Sequence, residues 1–163
     1  MVDTGYTVPG TTNTAYRAAK GARTDGVDVE LAGEILPGWN MTASYSHAIT
    51  KDAANTRLNS EMPSDTAKFW TTYRFPVGGR DLTLGGGVNW NGGSWITLSR
   101  YNVTVDQGAY LVANLMARYD ISDSLSATVN VSNLFDKTYY ASLQAAALYD
   151  TPRSVLGSVR YRF

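Results

Sequence analysis

Hydrophobic and polar residues alternate over most of the last twelve residues of the chain, 152–163 (PRSVLGSVRYRF). Successive side chains of an extended strand point to opposite faces. Val159, Tyr161 and Phe163 therefore share one face, and Arg160 lies on the other. A strand with one apolar and one polar face is typical of an outer-membrane β-barrel, although the edge of a soluble sheet gives the same pattern.

The same alternation predicts six further strands earlier in the chain. They cover approximately residues 23–35, 39–50, 65–75, 82–96, 107–121 and 125–139. Most of them reach the roughly 9–11 residues that a tilted strand needs to cross a bilayer. The pattern therefore predicts about seven strands joined one after another.

The connections between these strands alternate in length. Three are short (36–38, 76–81 and 122–124) and three are long (51–64, 97–106 and 140–151). Outer-membrane barrels have short periplasmic turns and longer extracellular loops, whereas a soluble sandwich has no reason to place all its short turns at one end. The connections therefore favour a membrane barrel.

Aromatic residues are expected near both ends of the strands, where Tyr and Trp gather at membrane interfaces. The aromatic residues near the short turns are Trp39, Phe75, Tyr119, Tyr161 and Phe163. Tyr45 and Trp90 lie nearer the long loops.

Composition narrows the class further. Mean hydropathy is −0.22, and no apolar run approaches the ~18 residues of a transmembrane helix. The chain has no cysteine, which excludes disulfides and thiolate metal sites. Fourteen basic and fourteen acidic residues cancel, so nothing indicates a nucleic-acid partner.

Few residues suggest catalysis. His47 is the one histidine in the chain, and a rim position explains it better than a ligand role. Asp28 and Glu30 share a face and could form an acid/base pair, but a polar barrel wall explains them better. With no nucleophile triad, phosphate loop or dinucleotide motif, we expect no enzyme.

Three segments carry a family resemblance: residues 26–52 (GVDVELAGEILPGWNMTASYSHAITKD), 129–142 (VNVSNLFDKTYYAS) and 151–163 (TPRSVLGSVRYRF). In order and spacing they resemble the last third of the barrel of TonB-dependent outer-membrane receptors of the ferric-siderophore type. The resemblance implies an all-β, antiparallel up-and-down meander of about seven strands, part of a 22-stranded transmembrane barrel.

The resemblance also implies parts that this sequence does not contain. Residues 1–22 are expected to be an extracellular-type loop behind an artificial start, and residues 23–163 the C-terminal barrel strands, with the plug domain and earlier strands absent. Localisation in the bacterial outer membrane is implied. The implied partners are a ferric siderophore, TonB acting through the missing N-terminal region, the outer-membrane assembly machinery and the lipid bilayer.

Ligand contacts are expected in the long loops, where aromatic and cationic groups can stack on, or pair with, an iron chelate. The candidate residues are Trp95, Arg100, Tyr101, Tyr140 and Tyr149. The siderophore itself would hold the iron, so no protein ligands to metal and no cofactor are expected.

Two further motifs are given structural or assembly roles. Asn133, Leu134, Phe135 and Asp136 are expected to form a bend or bulge near the outer rim, because Asn and Asp tolerate irregular geometry. The resemblance implies that Tyr161 and Phe163 form an assembly signal.

Two other functions remain open at the level of sequence. The chain could be a complete small barrel with an adhesive or structural role, with an eighth strand near residues 6–8. It could also be a barrel enzyme, which the missing catalytic set argues against.

Overall fold

One antiparallel sheet dominates the computed structural model, which describes residues 2–17, 21–98, 101–144 and 147–163. Its seven long strands are β3 (Arg23–Leu36), β4 (Trp39–Lys51), β6 (Asp65–Val77), β7 (Arg80–Asn91), β10 (Tyr110–Asp120), β11 (Leu125–Ser132) and β14 (Ser154–Tyr161). They lie side by side in chain order, and β5 (Arg57–Leu58) pairs with the end of β4. The predicted meander of seven strands is confirmed.

Three small hairpins stand outside this sheet. They are formed by β1 (Val2–Thr7) with β2 (Thr14–Arg17), β8 (Ser94–Leu98) with β9 (Val103–Gln107), and β12 (Tyr140–Leu143) with β13 (Ala147–Tyr149). The segment proposed as an eighth wall strand lies in the first hairpin and pairs with β2 instead. The described residues contain no helix long and apolar enough to cross a membrane.

Three predicted strand bounds were too long. The fourth strand ends at Asn91, and Ile96 belongs to a separate hairpin that follows Gly92 and Gly93. The fifth begins at Tyr110 instead of residue 107, and the sixth ends at Ser132 instead of near residue 139. The alternation of apolar and polar residues continues past these points, but the backbone no longer pairs with the neighbouring strands of the main sheet there.

The pairing register places most of the apolar residues of the seven strands on one face. Leu115, for example, pairs with Gly86 on one side and with Val131 on the other. This apolar face includes Val29, Leu31, Tyr45, Phe69, Tyr73, Leu84, Leu111, Leu115, Val129, Val159 and Tyr161, all exposed. The opposite, polar face includes Asp28, Glu30, Asn40, Lys68, Asn114, Arg118, Thr128 and Arg160.

The sheet has very little interior. Among the described residues, the buried apolar side chains are Val112, Ala113 and Leu143. A soluble monomer rarely exposes a contiguous apolar patch of more than a few hundred Å². An apolar surface of seven strands therefore requires an apolar surrounding, which a bilayer provides.

Glycines in β7 make room for a large side chain on the polar face. A Cβ at Gly87 would lie 2.2 Å from the Phe69 carbonyl oxygen and 2.6 Å from the Trp70 ring. At Gly85 it would lie 3.2 Å from the same ring. Trp70 therefore lies over a strip of bare backbone, which a larger residue at position 87 would not permit.

The short and long connections lie at opposite ends of the sheet, as predicted. The turn at Gly38 is tight: its φ is 81°, and its carbonyl accepts a hydrogen bond from the Arg74 amide at 2.9 Å. The predicted aromatic residues follow the same division. Trp39 pairs with Tyr73 near the short turns. Tyr45 and Trp90 lie nearer the long loops, each paired with Ala67 of β6.

We expect Val129→Arg to destabilise the full-length protein in bilayers by about 2–4 kcal/mol, the cost of an arginine on the lipid face near the midplane. Val129 lies on the apolar face of β11. The measurement is the free energy of unfolding from lipid vesicles.

The matched control is Asn130→Arg, one residue further along the same strand and on the polar face. It should cost far less than Val129→Arg. Equal losses of unfolding free energy for the two variants would contradict the assignment of the faces.

Candidate ligand-binding rim at the long-loop end

Of the three long connections of the sheet, the middle one contacts each of the other two. The Trp95 amide donates to the Ser60 carbonyl at 2.8 Å, which joins hairpin β8–β9 to the loop after β4. The Tyr140 amide donates to Oε1 of Gln107 at 2.8 Å, which joins the same hairpin to β12. We call these linked connections (52–64, 92–109 and 133–153) the rim.

Trp95 and Tyr101 both lie in hairpin β8–β9 but differ in surroundings. The guanidinium carbon of Arg57 stands 4.6 Å from the centroid of the Trp95 ring, and Nη2 of Arg57 donates to the Met62 carbonyl at 3.0 Å. Tyr101 lies in the turn of the hairpin and is 68% exposed. Arg100, the third candidate in this segment, lies outside the described residues.

Tyr140 and Tyr149 are brought together by the pairing of β12 with β13. Their rings stack with centroids 4.6 Å apart, and their hydroxyl oxygens lie 3.2 Å apart. The candidate residues thus form two groups on neighbouring hairpins, with the Gln107–Tyr140 hydrogen bond between the hairpins.

A second aromatic cluster was missed at the level of sequence. Tyr110 and Tyr139 stack at 4.4 Å between centroids, and the Tyr139 hydroxyl donates a short hydrogen bond to Asp150. The three residues line a depression of about 340 Å³ on the polar face, together with Lys68 and Asn114. Position parity assigns Tyr110 to the polar face, but only the fold brings Tyr139 and Asp150 to it.

Ionisation in this cluster follows from burial and hydrogen bonding. Partial burial, followed by the hydrogen bond to Asp150, raises the pKa of Tyr139 above its usual range. The hydrogen bond from Tyr139 lowers the pKa of Asp150. The Asp150 contribution to stability is therefore complete above about pH 4, its unfolded pKa, and is lost as pH falls through the lowered folded pKa.

The Asn133–Asp136 segment ends β11 and turns the chain at the rim. Asn133 is 4% exposed with φ 52°, and Asp136 has the same φ. The Asn133 side chain donates to the Lys137 carbonyl at 2.9 Å and accepts from the Lys137 amide at 2.8 Å. The Leu134 amide donates to the Ala113 carbonyl at 2.8 Å, whereas the Phe135 side chain is exposed.

Asp136 connects this turn to the start of β14. Its Oδ1 accepts a hydrogen bond from the Arg153 amide at 2.8 Å. The segment therefore fixes where β11 stops and where the terminal strand starts.

His47 lies near the long-loop end of β4, on the apolar face. Its Nδ1 is 2.7 Å from Oδ1 of Asp65, which also accepts from the Tyr45 hydroxyl at 2.7 Å. On the polar face, Asp28 accepts from the Ser46 hydroxyl at 2.5 Å, and Glu30 lies opposite Ser44. No cluster of three potential metal-ligating side chains occurs among the described residues.

The terminal aromatic residues lie at the opposite end of the sheet from the rim. Tyr161 pairs with Leu125 on the apolar face and is 64% exposed. Phe163 follows the last residue of β14, and its side chain is fully exposed.

Comparison with protein families agrees with this architecture. The family model described as "TonB dependent receptor-like, beta-barrel" matches residues 1–134. Among curated proteins, the ferric-pyoverdine 358 receptor of Pseudomonas putida is 53% identical over 150 residues, covering 91% of this chain and 18% of its own length. The ferripyoverdine receptor of Pseudomonas aeruginosa is 40% identical over 156 residues, covering 91% of this chain and 19% of its own length.

Solved structures show the same relationship. The crystal structure of the Pseudomonas aeruginosa outer-membrane ferripyoverdine receptor bound to ferripyoverdine superposes with a TM-score of 0.81 at 37% identity. The match covers 98% of this chain and 22% of that one. The chain therefore spans about a fifth of the length of the relatives it matches.

We expect Asn133→Ala to destabilise the protein by about 1–3 kcal/mol, because the Lys137 amide loses its buried acceptor. Asn130→Ala, at a half-buried position on the polar face of β11, is the control and should be close to neutral. Unfolding of the full-length protein from lipid vesicles measures both. A loss no larger than that of Asn130→Ala would show that the turn does not depend on Asn133.

We expect Tyr139→Phe to loosen hairpin β12–β13, because it removes the hydrogen bond to Asp150. A net hydrogen bond of about 1 kcal/mol corresponds to roughly fivefold faster amide exchange. The measurement is hydrogen exchange of residues 140–143 and 147–149 at pH 7. Tyr73→Phe, which removes a hydroxyl near the short turns at the opposite end of the sheet, is the control. Equal exchange in Tyr139→Phe and the unsubstituted protein would refute the role of the bond.

Proposed function

Because this chain belongs to the TonB-dependent receptor β-barrel family of outer-membrane proteins, we propose that it is part of a receptor that binds and imports a ferric siderophore. The observation that carries the proposal is 53% identity to a ferric-pyoverdine receptor across 91% of this chain. A second such receptor matches at 41% identity over a similar span. A ferric pyoverdine is therefore the siderophore class we propose.

The proposed receptor is not an enzyme, and its ligand keeps the iron. Chelation by the siderophore leaves the protein to recognise an organic surface through stacking, hydrogen bonds and charge. Transport energy comes from TonB, through a segment outside residues 1–163. The alternative of a complete small barrel with an adhesive role gains no support from relatives that are ferric-siderophore receptors.

The rim is the proposed ligand-binding region. Trp95 and Tyr101 offer aromatic surface on one hairpin, and the Arg57 guanidinium at the Trp95 ring adds a cation that can meet anionic oxygens. Tyr140 and Tyr149 offer a stacked pair on the next hairpin. Residues 1–22, which include hairpin β1–β2, are proposed as a further extracellular loop before the barrel strands at 23–163.

The Tyr110–Tyr139–Asp150 cluster extends this region down the polar face. The depression lined by this cluster adjoins the base of hairpin β12–β13, because Tyr139 directly precedes β12 and Asp150 directly follows β13. It offers ring surface, a carboxylate and the Lys68 ammonium to a polar ligand. At the opposite end, Tyr161 and Phe163 are proposed as the signal that the assembly machinery recognises.

We expect the double substitution Trp95→Ala and Tyr101→Ala to weaken ferric-pyoverdine binding by about tenfold or more. Each aromatic contact contributes roughly 0.5–2 kcal/mol, and about 1.4 kcal/mol corresponds to a factor of ten. The measurement is a binding titration of the cognate ferric pyoverdine with full-length receptor inserted in membranes.

The matched control is Tyr73→Ala, an exposed aromatic on the apolar face near the short turns. It should leave the dissociation constant unchanged. Unchanged affinity in the double variant would remove hairpin β8–β9 from the site. Absence of ferric-pyoverdine binding by the unsubstituted receptor would overturn the proposed ligand itself.

A further inference from the structure

Three basic residues lie side by side at the long-loop end of the sheet. Arg23 of β3 pairs with Lys51 of β4, and Lys51 pairs in turn with Arg57 of β5. Directly opposite residues of an antiparallel pair have Cβ atoms roughly 4.5–5.5 Å apart, and like charges at such positions destabilise the sheet. We call these three residues the basic row. The repulsion within it has to be offset by negative charge nearby.

The described carboxylates neutralise the basic row only in part. Nη2 of Arg23 lies 2.6 Å from Oδ1 of Asp25. Arg57 lies over the Trp95 ring, which carries no net charge. Within the described part of the chain, neither Lys51 nor Arg57 makes an ion pair. Three positive charges are therefore met by one carboxylate.

The position of Lys51 does not depend on the open edge of the sheet. β4 pairs with β3 on one side and with β5 and β6 on the other, so both neighbours of Lys51 are present. The register between β3 and β4 is unbroken from Arg23 to Glu34, which places Arg23 and Lys51 on the same face as Val29 and Tyr45. The basic row therefore continues the apolar face toward the long loops.

Between the basic row and the bilayer, the surface changes from charged to apolar. Tyr45, one of the aromatic residues near the long loops, lies six residues from Lys51 along β4. In a strand tilted by about 45°, six residues cover about 14 Å along the bilayer normal. A depression of about 380 Å³ lies in this zone and is lined by Asp25, Gly26, Val27, His47, Ile49 and Lys51.

We propose that Arg23 and Lys51 bind phosphate groups on the sugar headgroup of a glycolipid in the outer leaflet of the membrane. Phosphate oxygens accept charge-assisted hydrogen bonds from guanidinium and ammonium groups, and they supply the negative charge that the basic row lacks. The site is continuous with the surface that contacts lipid, and Val27 and Ile49 form the apolar part that a lipid needs.

The geometry favours a glycolipid over other anions. The headgroup layer of a glycerophospholipid bilayer is roughly 5–8 Å thick on each side, so it ends short of the basic row. A phosphorylated sugar headgroup is larger and extends that far. A soluble anion has no use for the apolar wall formed by Val27 and Ile49.

The test is native mass spectrometry of the full-length receptor in detergent, titrated with deep-rough lipopolysaccharide, which has a phosphorylated sugar headgroup. The variants are K51Q and the double variant R23Q/K51Q. A basic residue beside an anionic lipid surface contributes about fivefold in affinity. We therefore expect the dissociation constant for lipopolysaccharide to rise about fivefold in K51Q and about 25-fold in the double variant.

The matched control is R74Q, which removes an arginine from the polar face near the short turns and should leave this dissociation constant unchanged. Equal losses in R74Q and K51Q, or unchanged affinity in R23Q/K51Q, would remove the basic row from lipid binding.

Two further probes identify the occupant. The unsubstituted receptor should bind phosphatidylglycerol more weakly than lipopolysaccharide, and equal affinity for the two lipids would overturn the glycolipid. Displacement of lipopolysaccharide by millimolar inorganic phosphate would assign the basic row to a soluble anion instead. All of these titrations omit siderophore, so the proposed function can fail or stand separately.

Discussion

The antiparallel hydrogen-bond ladder, in a single register across seven strands, determines the properties of this molecule. Inside a bilayer, the backbone amides and carbonyls of a strand cannot form hydrogen bonds with water. They must therefore pair with those of neighbouring strands. Because side chains alternate with a period of two, the same register also decides which residues face lipid. A slip of one residue between β10 and β11 would bring Asn130 to the apolar face and Val129 to the polar one.

This constraint replaces the hydrophobic core of a soluble domain. Buried apolar side chains are few among the described residues, and most large apolar groups lie exposed on one face. Favourable transfer of that face into lipid supplies the free energy that core burial supplies elsewhere. On the polar face, apolar packing is local, as where Trp70 lies over the bare backbone of Gly85 and Gly87.

The sheet could be predicted from sequence because a strand with one apolar and one polar face has apolar and polar residues at alternate positions. Strand ends were less predictable. Gly92 and Asn133 interrupt the ladder through backbone geometry and local hydrogen bonds, while alternation continues beyond them. Alternation placed Tyr101 in the long connection 97–106 and Trp95 at the long-loop end of the predicted fourth strand, 82–96.

The parts of the candidate sites that sequence did not predict depend on contacts between distant residues. Tyr110 and Tyr139 meet because the chain turns at Asn133 and brings its next segment back over the polar face. The contact of Arg57 with Trp95 joins two separate loops. Asp120 and Arg160 lie on either side of Ser126 because β10, β11 and β14 are in register. Alternation assigns each residue to a face of the sheet. It does not show which residues of neighbouring strands lie at the same level, because that depends on the register.

The most direct test of the central claim is a spin-label scan along β10, from Tyr110 to Asp120, in the full-length receptor in lipid vesicles. Accessibility to dissolved oxygen should rise and fall with a period of two. Maxima are expected at Leu111, Ala113, Leu115 and Ala117, and a water-soluble nickel chelate should show the opposite phase at mid-strand. Accessibility that varies smoothly along the strand, or oxygen maxima at Val112, Asn114 and Met116, would contradict the register and both faces assigned from it.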